Sequence, residues 1–257
     1  MNGKEIKKVL KSGGKVFGTL VEGISNSKQL DWYIQQTGMD FVFIDNEHDP
    51  LDRAQTSCIC SIFSKAGIAP IVRIPKPDSY FASMALDGGA HGIMVPYVET
   101  ADDAWSTVAA VKYRPLKGKY LLELRNSGKF PSIETESYVN RLNENGIVVI
   151  MIESIEGINK LDEILAVPGI DVILIGPNDL SVSLGVPDMY EHPIFMDAVQ
   201  KILDTCLKAR VGFGVHLNTP ELHRNWIERG QNFTVYASDT YVAFKYLKEG
   251  IADLRGV

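Results

Sequence analysis

Short, nearly continuous apolar runs rich in β-branched residues recur along the chain, separated by longer stretches that open on helix-start residues. The runs are Val16–Val21, Phe41–Ile44, Ala69–Ile74, Gly92–Val98, Ile147–Ile152, Asp171–Ile175, Gly212–Leu217 and Phe233–Ala237. Apolarity on both sides of a strand marks burial on both faces of a parallel sheet, since a half-exposed strand alternates. Between the runs, Ser25/Ser27 precede a helix predicted over Gln29–Gln36, Asp52 one over Arg53–Lys65, Asp78 one over Ser79–Asp87 and Thr100 one over Ala101–Tyr113. Further helices are predicted over Glu156–Ala166, His192–Arg210, Glu221–Arg229 after Thr219-Pro220, and Asp239–Lys248. Glycines at 38, 67, 88, 230 and 250 follow several of these ends, where a left-handed cap suits them.

Strands alternating with helices through the whole chain predict a (β/α)8 TIM barrel, one domain over residues 1–257. A doubly wound open sheet is the competing fold. It would bind a nucleotide through a glycine-rich first turn, but the first strand runs into Glu22-Gly23-Ile24-Ser25-Asn26, and neither GxGxxG nor GxxxxGK[ST] occurs. The irregular stretch Arg114–Ser137 is expected to be a long loop over the barrel mouth.

Charge and composition narrow the function classes. With 26 basic and 32 acidic residues the net charge is −6, and 45% of residues are hydrophobic. That excludes a disordered tail and argues against a nucleic-acid partner, which would need a concentrated basic surface. No apolar run approaches the length of a spanning helix, and Met1–Gly14 lacks the apolar core of a signal peptide, so the expectation is a cytoplasmic protein without a membrane partner. Cys58, Cys60 and Cys206 form neither a CxxC pair nor a zinc-ligand spacing and are expected to be buried or partly buried free thiols.

In a barrel of this kind, catalytic groups sit where strands run out at their C-terminal ends. Those positions carry Asp45-Asn46-Glu47-His48-Asp49-Pro50 after the second strand, Arg73 at the third, Glu153 after the fifth and Gly176-Pro177-Asn178-Asp179-Leu180-Ser181 after the sixth. Glu153 and Asp179, one strand apart, offer two hard oxygen donors suited to Mg²⁺ or Mn²⁺. The competing readings are a rim ion pair for Glu153 and a helix cap for Asp179. His48 stands among acids, one of which would orient its ring as a general base. Arg73 presents a planar donor fork suited to a carboxylate or enolate oxygen, or to a neighbouring acid. Together they point to proton and carbon chemistry beside the carbonyl of a 2-oxo acid. Schiff-base chemistry would need a desolvated strand-end lysine, and the nearest lysine, Lys76, stands between two prolines.

Phe43-Ile44-Asp45-Asn46-Glu47-His48, Ile71-Val72-Arg73, Met94-Val95-Pro96, Met151-Ile152-Glu153 and Ile175–Ser181 together resemble, in order and spacing, the motifs of the HpcH/HpaI aldolases, metal-dependent pyruvate aldolases. The resemblance runs from about Gly18 to Ala243. It implies a lyase that reversibly cleaves a 4-hydroxy-2-oxo acid to pyruvate and an aldehyde. Glu153 and Asp179 would then hold Mg²⁺, Mn²⁺ or Co²⁺, with His48 the base acting through a metal-bound water and Asp45 its support. Arg73 would donate to the enolate oxygen, and backbone amides around Gly176, Pro177, Asn178 and Asp179 would receive the pyruvate carboxylate. Assembly as a homo-oligomer, a hexamer that exchanges the last helix, is implied too.

Three places depart from the family pattern. Met151 stands where a Gln is common, Leu20 where a Trp is common, and Tyr113-Arg114-Pro115-Leu116-Lys117-Gly118-Lys119-Tyr120 where Tyr-Pro-Pro-x-Gly-x-Arg-Gly is common. The walls that choose the aldehyde are therefore expected to differ. Oxaloacetate decarboxylation on the same core and a non-catalytic barrel that binds a 2-oxo acid are the alternative functions.

Overall fold

The computed structural model describes residues 1–23 and 38–256. The described residues form a closed barrel of eight parallel strands in sequential order. The strands are β1 (Val16–Val21), β2 (Phe41–Asp45), β3 (Ala69–Arg73), β4 (Gly92–Val95), β5 (Ile147–Ile152), β6 (Val172–Ile175), β7 (Gly212–Leu217) and β8 (Phe233–Ser238). The helix expected over Gln29–Gln36 lies outside the described residues.

Alternation of side chains divides the core in two. Phe41, Phe43, Ile71, Met94, Val149, Met151, Val172, Leu174, Phe233 and Val235 fill the barrel interior, while Val42, Ile44, Val72, Ile93, Val148, Ile150, Ile173 and Val215 point outward against the helices. This is why the strands read as unbroken apolar runs. Phe41 and Phe233 stack at 4.3 Å in the interior, and Gly18 makes the space, since a Cβ there would come within 2.6 Å of the Phe41 ring.

The first helix, α1 (Gly3–Lys11), opens on a capping box between Asn2 and Glu5. Its Ile6 and Leu10 join the interior cluster, so it closes the barrel at the N-terminal ends of the strands. The next three helices, α2 (Arg53–Lys65), α3 (Ser79–Asp87) and α4 (Ala101–Lys112), start where their caps Asp52, Asp78 and Thr100 predict. Cys60 and Cys206 are buried, but Cys58 is exposed, against expectation.

The stretch Arg114–Ser137 is not a loop over the mouth. It holds α5 (Gly118–Ser127) and the start of α6 (Ile133–Leu142). These helices belong to the connection from the end of α4 to the start of β5, at the opposite face from the strand C-termini. Arg114 and Asn143, at its two ends, hydrogen-bond each other, and Arg125 returns to pair with Asp102 and lie over Trp105. Scattered Leu, Tyr and Ile positions support two short amphipathic helices here, and the Lys, Gly and Ser content masks them. Lys117–Tyr120 accordingly begin α5 and form no wall of the mouth.

The stretch Glu156–Ala166 divides into α7 (Ile155–Asn159) and α8 (Leu161–Leu165). Downstream stand α9 (Pro177–Ser183), α10 (Pro193–Ala209), α11 (Pro220–Arg229) and α12 (Asp239–Arg255), the last longer than its predicted span. Among the described residues no helix is long and apolar enough to cross a membrane.

Candidate active site

Interior positions at the C-terminal strand ends are polar where the layers below them are apolar, and there the candidate residues meet. Asp45 and Arg73 are paired in register on β2 and β3. Arg73 Nε donates to Asp45 Oδ1 at 2.9 Å and Nη2 to Oδ2 at 2.5 Å, a two-pronged ion pair with the side chains 11% and 4% exposed. The guanidinium lies over the Phe43 ring at 5.1 Å, and its Nε is 3.1 Å from Glu47 Oε2. Burial alone would push the Asp45 carboxyl up, but hydrogen bonds and charge from Arg73 outweigh it and hold the group below the usual carboxylate range. Glu47 goes the other way: burial raises it more than Arg73 and His48 lower it.

This pairing corrects one expectation. Asp45 does not hold His48; its oxygens are taken by Arg73 and by the Glu47 backbone N–H. The His48 ring is 67% exposed, with Nε2 3.7 Å from Glu47 Oε2. The sequence places three acids, Asp45, Glu47 and Asp49, close to His48. The tertiary register chooses Asp45 for Arg73.

Across the mouth, Glu153 is 3% exposed at the end of β5. Its Oε2 accepts the Tyr97 N–H at 2.7 Å. Tyr97 has a left-handed φ of 51°, an unusual conformation for a bulky residue, which turns that N–H toward the carboxylate. Sequence reasoning missed Tyr97; its only signal is the proline before it. Gly176 lies directly beneath, where a Cβ would stand 2.0 Å from Glu153 Oε1, so the tight turn out of β6 makes room for the carboxylate. Asp179 follows in the first turn of α9. Pro177 is the first residue of that helix and has no N–H to leave unpaired, and Tyr190 donates to Asn178 Oδ1 at 3.5 Å.

Burial pushes the Glu153 carboxyl up to about 7, against the Tyr97 hydrogen bond and with the charge of Asp179 adding to the rise. A buried carboxylate at Glu153 and an exposed one at Asp179 that repel one another are a donor set a divalent cation relieves. Among the described residues no cluster of three or more His, Cys, Asp or Glu ligands forms, and a two-carboxylate set fits an ion that keeps positions for water and substrate oxygens. Met151 is buried in the interior layer below. Lys76 pairs with Asp78 at 3.7 Å and is largely exposed, unlike a Schiff-base amine.

In sequence and fold the chain is similar to several known proteins. The model of the HpcH/HpaI aldolase/citrate lyase family matches residues 25–245. The chain is 30% identical over 219 residues, 85% of each chain, to 2-dehydro-3,6-dideoxy-6-sulfogluconate aldolase of Pseudomonas putida. It is 33% identical over 195 residues, 72% of this chain and 71% of the other, to 4-hydroxy-4-methyl-2-oxoglutarate aldolase of Chaetomium globosum. A solved HpcH/HpaI aldolase from Desulfitobacterium hafniense superposes with a TM-score of 0.84 at 27% identity, covering 98% of this chain and 96% of that one.

Proposed function

Because the chain belongs to the HpcH/HpaI aldolase/citrate lyase family and is a carbon–carbon lyase of the aldolase kind, we propose that it reversibly cleaves a 4-hydroxy-2-oxo acid to pyruvate and an aldehyde with the help of Mg²⁺, Mn²⁺ or Co²⁺. The observation that carries the reading is the opposition across one mouth of Glu153, buried against Gly176, and Arg73, fixed by Asp45. Glu153 and Asp179 would hold the ion, which when bound would supply positive charge beside the keto oxygen of a 2-oxo acid. Arg73 donates to the same keto oxygen and takes up part of the charge as the C3–C4 bond breaks. The base at the C4 hydroxyl is assigned to His48. The proton it removes leaves the electron pair to form the aldehyde carbonyl, and the C3–C4 pair passes into the pyruvate enolate, which is then protonated at C3. Asp45 acts by positioning Arg73, and the N–H groups of Asn178 and Asp179 receive the substrate carboxylate.

The test is NMR of pyruvate in D₂O with the protein. Exchange of the C3 protons is expected in the presence of Mg²⁺ or Mn²⁺ and is lost on adding EDTA. Exchange indifferent to EDTA, or a borohydride-trapped pyruvyl-lysine, overturns the metal-assisted reading, and CO₂ release from oxaloacetate faster than any aldol cleavage moves it to decarboxylation.

Assembly as a homo-oligomer belongs to the same proposal. Helix α12 has no buried residue along its seventeen positions, and Phe244, Tyr246, Leu247, Ile251 and Leu254 are all exposed. A row of this kind in water is costly and suits contact with a second copy. An apolar cavity of 670 Å³ lies outside the barrel wall at the start of this helix, lined in part by Phe17, Met39, Ile227 and Val242, away from Glu153 and Arg73.

A further inference from the structure

Away from the mouth, the N-terminal end of the barrel carries a cluster of basic groups that no role above uses. Helix α1 plugs this end with Ile6 and Leu10, and Lys7 lies between them in sequence. Its Nζ donates to the carbonyl oxygens of Glu144 at 2.8 Å and Gly146 at 3.0 Å, just before β5. The Gly146 oxygen is shared. Lys112, the last residue of α4, donates to it at 2.7 Å and to Asp171 Oδ2 at 2.5 Å. Two amines therefore meet on one oxygen, and of the two only Lys112 is paired with a carboxylate.

The contacts of Lys7 suit an amine better than an ammonium. An ammonium offers three N–H donors, whereas Lys7 Nζ meets two acceptors among the described residues. A neutral amine fills both and keeps a lone pair. Burial pushes Lys7 down to about 8; the charges of Lys112 and Lys11 add to the fall, and those of Asp171 and Glu144 oppose it. Glu144 is itself answered by Lys4 at 2.9 Å.

Lys7 also lines a cavity of 510 Å³ between α1, the end of α10 and the starts of β6, β7 and β8. Lys11 and Arg210 line it too, both exposed and without a carboxylate partner among the described residues. Asn232 spends its Oδ1 on the Phe213 N–H, which leaves its NH2 as a donor. Asp171, the only acid among the described residues of the lining, is held through Oδ2 by Lys112 and the Val148 N–H. A small anion formed at Lys7 would meet free donors and an excess of positive charge.

We propose that Lys7 is a carbon dioxide site, where its amine forms a reversible carbamate held by Lys112, Lys11 and Arg210. The nitrogen lone pair bonds to the carbon of CO₂, one C–O π pair moves onto oxygen, and one N–H proton passes to water. The remaining N–H keeps one backbone carbonyl, and the new carboxylate turns to the cavity. Where Lys7 and Lys112 repel as two cations, the carbamate and Lys112 attract.

The experiment equilibrates the protein with ¹³C-labelled CO₂, fixes any carbamate by ethylation with triethyloxonium, and locates the label by tandem mass spectrometry. At pH 8 and constant dissolved CO₂, Lys7 is expected to carry about 10-fold or more the label of the exposed Lys8 and Lys65. The label should rise with pH through about 8 and be lost when CO₂ is purged before trapping. A ¹³C NMR carbamate signal should be present in the unaltered protein and absent in Lys7→Arg, which keeps the charge and the donors. In Lys11→Gln the label on Lys7 should fall several-fold, because that cation both disfavours the ammonium and attracts the carbamate. Label spread over Lys7, Lys8 and Lys65 alike, no label at Lys7, or label on Lys7 indifferent to Lys11→Gln overturns the proposal.

Discussion

Arg73 and Asp45 are the most tightly specified pair at the mouth, and their burial makes the pair sensitive to loss of either partner. Asp45→Ala leaves a guanidinium in the barrel with only Glu47 to answer it, and should destabilise the fold by about 3–5 kcal/mol, read as a lower urea midpoint with an unchanged slope. Arg73→Lys should bind pyruvate less well than the unaltered protein, because a point charge cannot both grip Asp45 and reach the substrate. The same scale supplies a pH dependence. Burial of His216, on β7, outweighs its hydrogen bond to the Ala237 carbonyl and holds the ring neutral down to about 4 in the folded protein, while the unfolded chain protonates it near its ordinary value of about 6.5. Below that ordinary value protons favour the unfolded state, so the contribution of His216 is complete above about 6.5 and is lost progressively as pH falls toward 4. Urea midpoints of the unaltered protein should decline through that window, and those of His216→Gln should decline less.

At the level of elements, the turn from β6 into α9 sets the carboxylate pair. Gly176 has no side chain, so Glu153 rests on the backbone of that turn, and Pro177 starts the helix that carries Asp179. Gly176→Ala should therefore displace Glu153 by steric contact alone. Pyruvate exchange should fall by an order of magnitude or more, as expected when reacting groups are misplaced by about 1 Å. Far-ultraviolet circular dichroism should stay that of the unaltered protein, since the turn lies at the rim. A variant with normal exchange would mean that Glu153 need not sit where it does.

For the whole molecule, the barrel is closed and well filled, but α12 leaves its apolar residues in water. Phe244→Glu combined with Leu254→Glu, at positions 68% and 88% exposed, should shift light-scattering mass from an oligomer to a single chain while leaving the circular dichroism of the barrel in place. An unaltered protein that already runs as a single chain would remove the case for assembly through this helix.

The linear sequence determined the architecture and picked out the polar candidates that end the strands. Parallel strands inside a barrel must be apolar on both faces, so Ile147–Ile152 and Phe41–Ile44 announce themselves, and the polar residues that end such runs, Asp45, Arg73 and Glu153, stand out because nothing apolar explains them. The two helices within 114–142 were obscured because short, marginal helices take their stability from packing on α4 more than from their own residues. Partnership was decided only in three dimensions. Asp45, Glu47 and Asp49 all stand within three positions of His48 along the chain, yet strand register puts Asp45 against Arg73 and leaves His48 at the surface. Tyr97 has no local signal beyond the proline before it, and His216 has none: one meets Glu153 through a backbone N–H set by a left-handed turn, the other reaches the interior from a strand position whose facing depends on the closure of the barrel. Side-chain type and period are local properties, whereas the identity of the atom across the barrel depends on eight registers at once.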